Sequence, residues 1–164
     1  MQHDTLLDLY VEELRDVYNA EKQMLNALPK MANRATHEEL RMAFENHAAI
    51  TEEHVRRLET IFDEMKVSPG GKKCLGMEGL IAESQEMMSE DADPDVLDAA
   101  MISSAQRAEH YEIAAYGTLR TYARQLGLTA HADILQTTLD EEGDTDKRLT
   151  ELAEGRVNLD AENE

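Results

Sequence analysis

Four glutamates and two histidines stand at positions where helical periodicity calls for apolar side chains, and they are the residues here with most chemistry to offer. Glu21 interrupts the seam Leu14, Tyr18, Leu25, Leu28. Glu109 and Glu112 lie one turn apart on the face of Ile102, Ala105, Tyr116 and Leu119. Glu142 falls in the run Leu135, Leu139, Thr145, Leu149, Leu152, and His47 and His54 sit two turns apart on the seam of Leu40, Phe44, Thr51, Leu58, Ile61 and Met65. Residues three and four apart share a helix face, so each of these groups is directed toward a core. An ionised carboxylate in a dry interior costs several kcal/mol unless it is paired or bound to a metal. Three helices that each aim one inward at mid-length repel each other unless a cation lies between them. Oxygen-rich donors with imidazole suit iron or manganese, and a cage of carboxylates alone also suits magnesium or calcium. Plainer readings stay open: a stripe-edge glutamate that reaches solvent, a hydrogen-bonded core histidine, or neutralisation by Arg15 or Arg107.

Long helices must position these groups. The first spans about 4–32, with Leu7, Leu14, Tyr18, Leu25 and Leu28 in phase, and Pro29 is expected to loosen its last turn. Thr36 with Glu39 reads as a capping box that opens a second helix over 37–66, which Ser68-Pro69-Gly70-Gly71 stops. A crossover over 67–93 follows, with a short helix from Met77 to Met88. Asp93 and Pro94 start a third long helix, 94–126, ended by Gly127; Thr129 caps a fourth, 130–154, that Gly155 stops. The tail 156–164 is polar and expected to fray. Short, long, short connections predict an all-α fold: an antiparallel four-helix bundle made of one helical pair, a crossover and a second pair.

The remaining composition narrows the partners. Among 164 residues, 35 acidic side chains against 16 basic ones leave a net charge of −19, which argues against nucleic acid or an anionic membrane surface. No apolar run nears the roughly 18 to 20 residues of a bilayer span, and Met1-Gln2-His3-Asp4 does not open a signal sequence, so a soluble cytoplasmic protein is expected. Cys74 alone forms no intrachain disulfide; beside Lys72 and Lys73 it is either a reactive thiol or a small buried side chain. The nine methionines read as core filler. Gly117, inside the third long helix, suggests the close approach of another helix, from the bundle or from a second subunit.

Several stretches also carry a resemblance. Glu12-Glu13-Leu14-Arg15-Asp16 through Ala20-Glu21-Lys22-Gln23, Lys72-Lys73-Cys74 with Met77-Glu78-Gly79-Leu80-Ile81, Ala105-Gln106-Arg107 through Glu109 to Leu119, and Thr138-Leu139-Asp140-Glu141-Glu142 resemble the YciE/YciF-type family of ferritin-like proteins over nearly the whole chain. The resemblance implies a ferritin-like bundle, stress-induced expression in bacteria, a homodimer and a di-iron-type centre. Carried over by position, the candidate ligands are Glu21, Glu109, Glu112 and the pair Glu141 and Glu142, of which seam phase favours Glu142. The second helix departs from the family pattern: His47-Ala48-Ala49-Ile50-Thr51 stands where His-x-x-Glu-Thr is common, so His54 or Glu53 has to substitute. Only Thr145 and Asp146 follow Glu142 where a Glu-x-x-His pair would place a histidine. The expected metal set is therefore Glu21, His54, Glu109, Glu112 and Glu142, holding iron or manganese as one ion or a weak pair. Two function classes follow: an oxidoreductase of ferroxidase or peroxidase type handling iron, oxygen or peroxide, and a non-enzymatic structural stress protein with a degenerate or single-metal site.

Overall fold

Helix α1 (Leu6–Arg34) begins at a capping box, in which the Thr5 hydroxyl accepts from the Asp8 amide at 3.1 Å and the Asp8 carboxylate accepts from the Thr5 amide. The computed structural model describes residues 4–163, all of its regular elements there being helical, so the sequence Met1-Gln2-His3 and residue 164 lie outside the described residues. Pro29 does not loosen α1, which continues to Arg34; the proline sits on the exposed face, where the carbonyl it leaves without a helical donor is open to solvent. The buried stripe of α1 is Tyr10, Leu14, Val17, Glu21, Met24 and Leu28, rotated slightly from the expected seam. Leu7 is 44% exposed, and Tyr18 and Leu25 are only half-buried.

Helix α2 (Glu38–Met65) is not capped by Thr36. Its N-cap is His37, and the buried Asp98 carboxylate of another helix accepts the Thr36 amide at 2.9 Å and the His37 amide at 2.7 Å. A carboxylate at a helix N-terminus also complements the helix dipole, which is why it displaces a local hydroxyl. Lys66 ends α2 in the left-handed conformation, φ 57°, ahead of the Pro-Gly-Gly turn. The crossover contains α3 (Leu75–Met88), with Cys74 as its N-cap. Helix α4 (Pro94–Gln125) starts with Asp93 accepting from the amides of Asp95 and Val96 and stops before Gly127, whose φ of 73° suits glycine. Helix α5 (Thr129–Leu152) has Leu128 at its N-cap, with Thr129 as first helical residue, so the expected threonine cap is not used.

The chain does not stop at Gly155. A π-helical turn, Ala153–Val157, leads into α6 (Asn158–Glu162). Ala153 and Val157 are buried in the core, and Asp160 binds His37, so residues expected to fray are anchored by one apolar plug and one ion pair. Helices α1 with α2, and α4 with α5, form the closest pairs, while α3 packs on both α4 and α1. The apolar core falls into two clusters, one around Leu28, Leu40, Phe44, Met77 and Met101, the other around Tyr10, Leu14, Leu58, Tyr116 and Leu135. Between them along α2, α4 and α5, and at their junction on α1, lie the polar residues singled out above. Among the described residues nothing lies within 4 Å of where a Gly117 Cβ would stand, so no bundle helix makes the close approach there; at Gly76 a Cβ would meet the Tyr111 ring at 2.6 Å. No described helix is long and apolar enough to cross a membrane.

His37 ties the ends together. Its Nδ1 lies 2.6 Å from Asp98 and its Nε2 2.9 Å from Asp160. The Asp160 hydrogen bond raises the imidazole above its ordinary value of 6.5, against the opposing effect of burial, with Asp98 and Asp95 adding to the rise. A raised histidine contributes stability that is fully present below pH 6.5 and is lost as pH rises through the higher folded-state value. His37→Gln is therefore expected to narrow the stability gap between pH 6 and pH 9, measured by urea unfolding of both proteins at each pH.

Candidate metal centre

One layer of the bundle collects donors from four helices. Glu21 comes from α1, His47 and His54 from α2, Glu109 and Glu112 from α4, and Glu142 from α5, every one of them buried. They form two groups that share Glu142: His47, Glu109, Glu112 and Glu142, and Glu21, His54 and Glu142. Within each, one donor atom per residue lies within 4.8 Å of all the others. An ion with bonds of about 2.1 Å spans donors up to about 4.2 Å apart, so a small contraction closes either group around a cation.

The contacts inside the layer are short, yet most are not hydrogen bonds. His47 Nδ1 is 3.1 Å from Glu109 and its Nε2 3.7 Å from Glu142, while His54 Nδ1 is 2.9 Å from Glu142 and 3.2 Å from Glu21. All of these nitrogens lack a hydrogen-bond partner, as do both oxygens of Glu109, Glu112 and Glu142 and one oxygen of Glu21. Buried polar atoms are ordinarily paired, each orphan costing about 1–3 kcal/mol. So many orphans converging on two points fit metal cations well: the donors are oxygen and imidazole nitrogen, near coordination spacing, with lone pairs unspent. Four ionised carboxylates and two divalent cations are together neutral.

With protons alone, the layer balances awkwardly. Burial, reinforced by the Glu142 charge, holds Glu109 and Glu112 well above the usual carboxylate range. Burial also raises Glu21, against the neighbouring His54 imidazole and a hydrogen bond from Tyr116, whose hydroxyl donates to it at 2.5 Å. Burial works against charge on His54 too, but Glu142 and Glu21 outweigh it and push the imidazole up to about 10. Glu142 is also penalised by burial, yet His47 and His54 hold it well below the ordinary value. Divalent cations would take the place of these protons.

A second layer aims His54. Its Nε2 donates to Glu141 at 2.8 Å, and Arg57 grips Glu141 through both carboxylate oxygens, at 2.6 and 3.0 Å. The Arg57 hydrogen bond holds the Glu141 carboxyl below its usual range, against burial, so Glu141 can only accept. Nε2 therefore keeps its proton, and where a cation takes the place of the second proton it is the Nδ1 lone pair that would face it, beside Glu21 and Glu142. Such outer carboxylates typically change metal affinity about 10- to 100-fold. Glu141→Ala is expected to weaken cobalt(II) binding by about that much while preserving helicity, as read by the visible absorption of cobalt during titration.

Several sequence expectations change at this layer. Ile50 is half-buried and lines a surface groove with His47 and Thr145. The residue in phase with both histidines is Thr51, fully buried with a partnerless hydroxyl, so Ile50 leaves no hole in the donor set. Glu53 is only half-buried and pairs with Arg56 and Arg57, leaving His54 as the donor. Arg107 is exposed and Arg15 binds the Ser68 carbonyl, so neither neutralises the layer. His47 joins the donors, although it was outside the expected ligand set; its signal was its seam position two turns before His54. The shortage expected from absent Glu-x-x-His pairs is thereby made good. Di-iron carboxylate bundles use four glutamates and two histidines, and the same six donor types are present here with both histidines moved onto α2 and two glutamates onto α4.

Cys74 is not a reactive thiol. It is fully buried, and burial pushes it up, against a hydrogen bond to Tyr111. Tyr111 donates its proton to Asp16 at 2.7 Å, so the thiol must donate to the tyrosine oxygen at 3.0 Å. The expected cations are engaged elsewhere, Lys72 with Glu12 at 3.1 Å and Lys73 with Glu78.

Four long helices with a helical crossover, closed around a buried carboxylate and imidazole layer, define a ferritin-like bundle. The family described as a domain of unknown function, DUF892, matches residues 5–162, and the chain belongs to that family. Protein YciF of Escherichia coli (strain K12) is 43% identical over 164 residues, covering 99% of both chains. The crystal structure of that E. coli stress protein superposes with a TM-score of 0.91 at 42% identity, over 94% of this chain and 98% of its own. YcfI from Rhodopseudomonas palustris, described as a candidate structural protein, gives 0.88 at 40% identity, over 92% and 97%. A protein from Xanthomonas campestris pv. campestris gives 0.76 at 22% identity over 97% and 98%, a likeness of fold alone.

Proposed function

We propose that this YciF homologue is a ferritin-like stress protein that holds two divalent ions, iron or manganese, in its buried layer, with Glu142 the donor common to both groups. The convergence of partnerless buried donors carries this reading. His47, Glu109 and Glu112 would serve one position, Glu21 and His54 the other. When bound, iron would supply one-electron chemistry with dioxygen or peroxide. The chain's part is to fix geometry and limit solvent: the two apolar clusters close the layer above and below, Tyr116 orients Glu21, and Glu141 orients His54. Homodimerisation and a cytoplasmic setting belong to the same reading, supported by the family resemblance. A sedimentation mass near twice the 18.5 kDa chain tests the dimer.

A structural stress protein with one metal or none is the second reading. It draws support from Thr51 and Thr145, which stand where Glu-x-x-His pairs would supply a glutamate and a histidine. Elemental analysis after anaerobic reconstitution with Fe(II) or Mn(II) and desalting separates the two. About two ions per chain are expected from the donor count; one ion per chain favours the second reading, and metal at background overturns the proposal.

A further inference from the structure

The four helix pairs that enclose the layer are not equally sealed. Helix α3 lies over the seam between α1 and α4, whereas the seam between α2 and α5 is the most sparsely packed of the bundle and has no covering helix among the described residues. A groove of about 20 Å³ runs into this seam, walled by Ala43, Phe44, Ile50, Thr145 and Leu149, and His47 lies on it although only 2% exposed. A wider depression of about 440 Å³ adjoins it, sharing Ile50, Thr145 and Arg148 and adding Glu141 and Asp144. His47, both of whose ring nitrogens are partnerless among the described residues, thus borders a cleft whose shared threshold is Ile50 and Thr145. The Thr145 hydroxyl is already spent on the Glu141 carbonyl at 3.0 Å, so it offers a passing molecule little competition.

We infer that this seam admits an uncharged, water-sized molecule to the His47 side of the layer, past a threshold set by Ile50. A space of 20 Å³ accommodates one water but not an ion with its hydration shell. The mainly apolar walls would impose on a bare ion its full desolvation cost and on a neutral diatomic almost none. The proposal rests on the metal reading above, since a ligand reaching His47 has a destination only where a metal is held.

Nitric oxide, neutral and water-sized, is the probe. Anaerobic Fe(II)-loaded protein is mixed with it in a stopped-flow instrument and the iron nitrosyl absorbance is followed, with iron per chain measured on each sample. Ile50→Trp is expected to slow the reaction at least about tenfold and Ile50→Ala to speed it severalfold, with unchanged iron content and final absorbance, because only the threshold in a packed wall has changed. Should the tryptophan variant fail to fold, Thr145→Leu with Ile50→Ala gives the same opposed pair. Rates that agree within about twofold across variants of equal iron content would overturn the inference while leaving the metal reading intact. Wild-type protein that retains no iron would overturn both.

Discussion

Replacing Glu142 with glutamine is expected to abolish tight metal binding at both positions, weakening cobalt(II) or manganese(II) affinity by about 100-fold or more while helicity is retained. Its carboxylate is the one donor common to both groups, so its loss removes a ligand and a negative charge from each position at once. No other single change touches both. Glu21→Gln should weaken only the position it shares with His54, and Glu109→Gln only the position it shares with His47, so the three variants give a loss of two, one and one ions. Calorimetric titration with Mn(II) reads these stoichiometries directly; equal losses for all three would mean that Glu142 is not shared.

Glu112→Met is expected to stabilise the protein in the presence of a chelator. Glu112 is fully buried, neither of its oxygens has a partner, and its nearest charges are the carboxylates Glu142, Glu21 and Glu109. Replacing such a group with an apolar side chain of similar volume is worth about 1–4 kcal/mol. At about 2–4 °C per kcal/mol for a chain of this size, Tm should rise by about 2–16 °C. Metal reverses the order: an ion present at 100 times its Kd adds about 2.7 kcal/mol to the wild type, and the variant, short of a ligand, gains less. Glu142→Gln should do the opposite in chelator and lower Tm, because it removes the counter-charge that His47 and His54 share. Acidity gives a parallel signature. Glu109 and Glu112 have folded-state values above their unfolded ones, so the chelated protein loses stability as pH rises from about 4.5 through those higher values. In excess metal the dependence inverts, since protons then compete with the cation. Thermal scans with and without chelator, at pH 5 and pH 8, check both signs.

Why a site should cost the empty fold stability also explains how much of it was legible from sequence. The bundle could be read because its periodicity is uninterrupted over four long runs and because Asp93-Pro94 and Gly127 are strong end signals. Glu21, Glu109, Glu112, His54 and Glu142 were legible for the same reason, each breaking an apolar stripe that physical chemistry would otherwise keep apolar. What sequence could not supply was phase finer than a third of a turn and contacts between distant segments. Ile50 drew attention by comparison with relatives, yet one residue later, at Thr51, the chain faces the layer. Glu141 and Glu142 are adjacent, and only packing assigns one to the layer and the other to the Arg57 clamp. The α2 N-terminus is served by Asp98, 61 residues from His37, a partner no local capping pattern includes. Val157 and Asp160 dock a segment whose polarity suggested fraying, because one fully buried valine and one histidine outweigh the composition around them.

Anomalous scattering from a crystal soaked in Mn(II) tests the central claim most directly. Two peaks are predicted in the buried layer, one among His47, Glu109, Glu112 and Glu142 and the other among Glu21, His54 and Glu142. Peaks confined to surface carboxylates, with the layer unchanged and devoid of scattering, would contradict it.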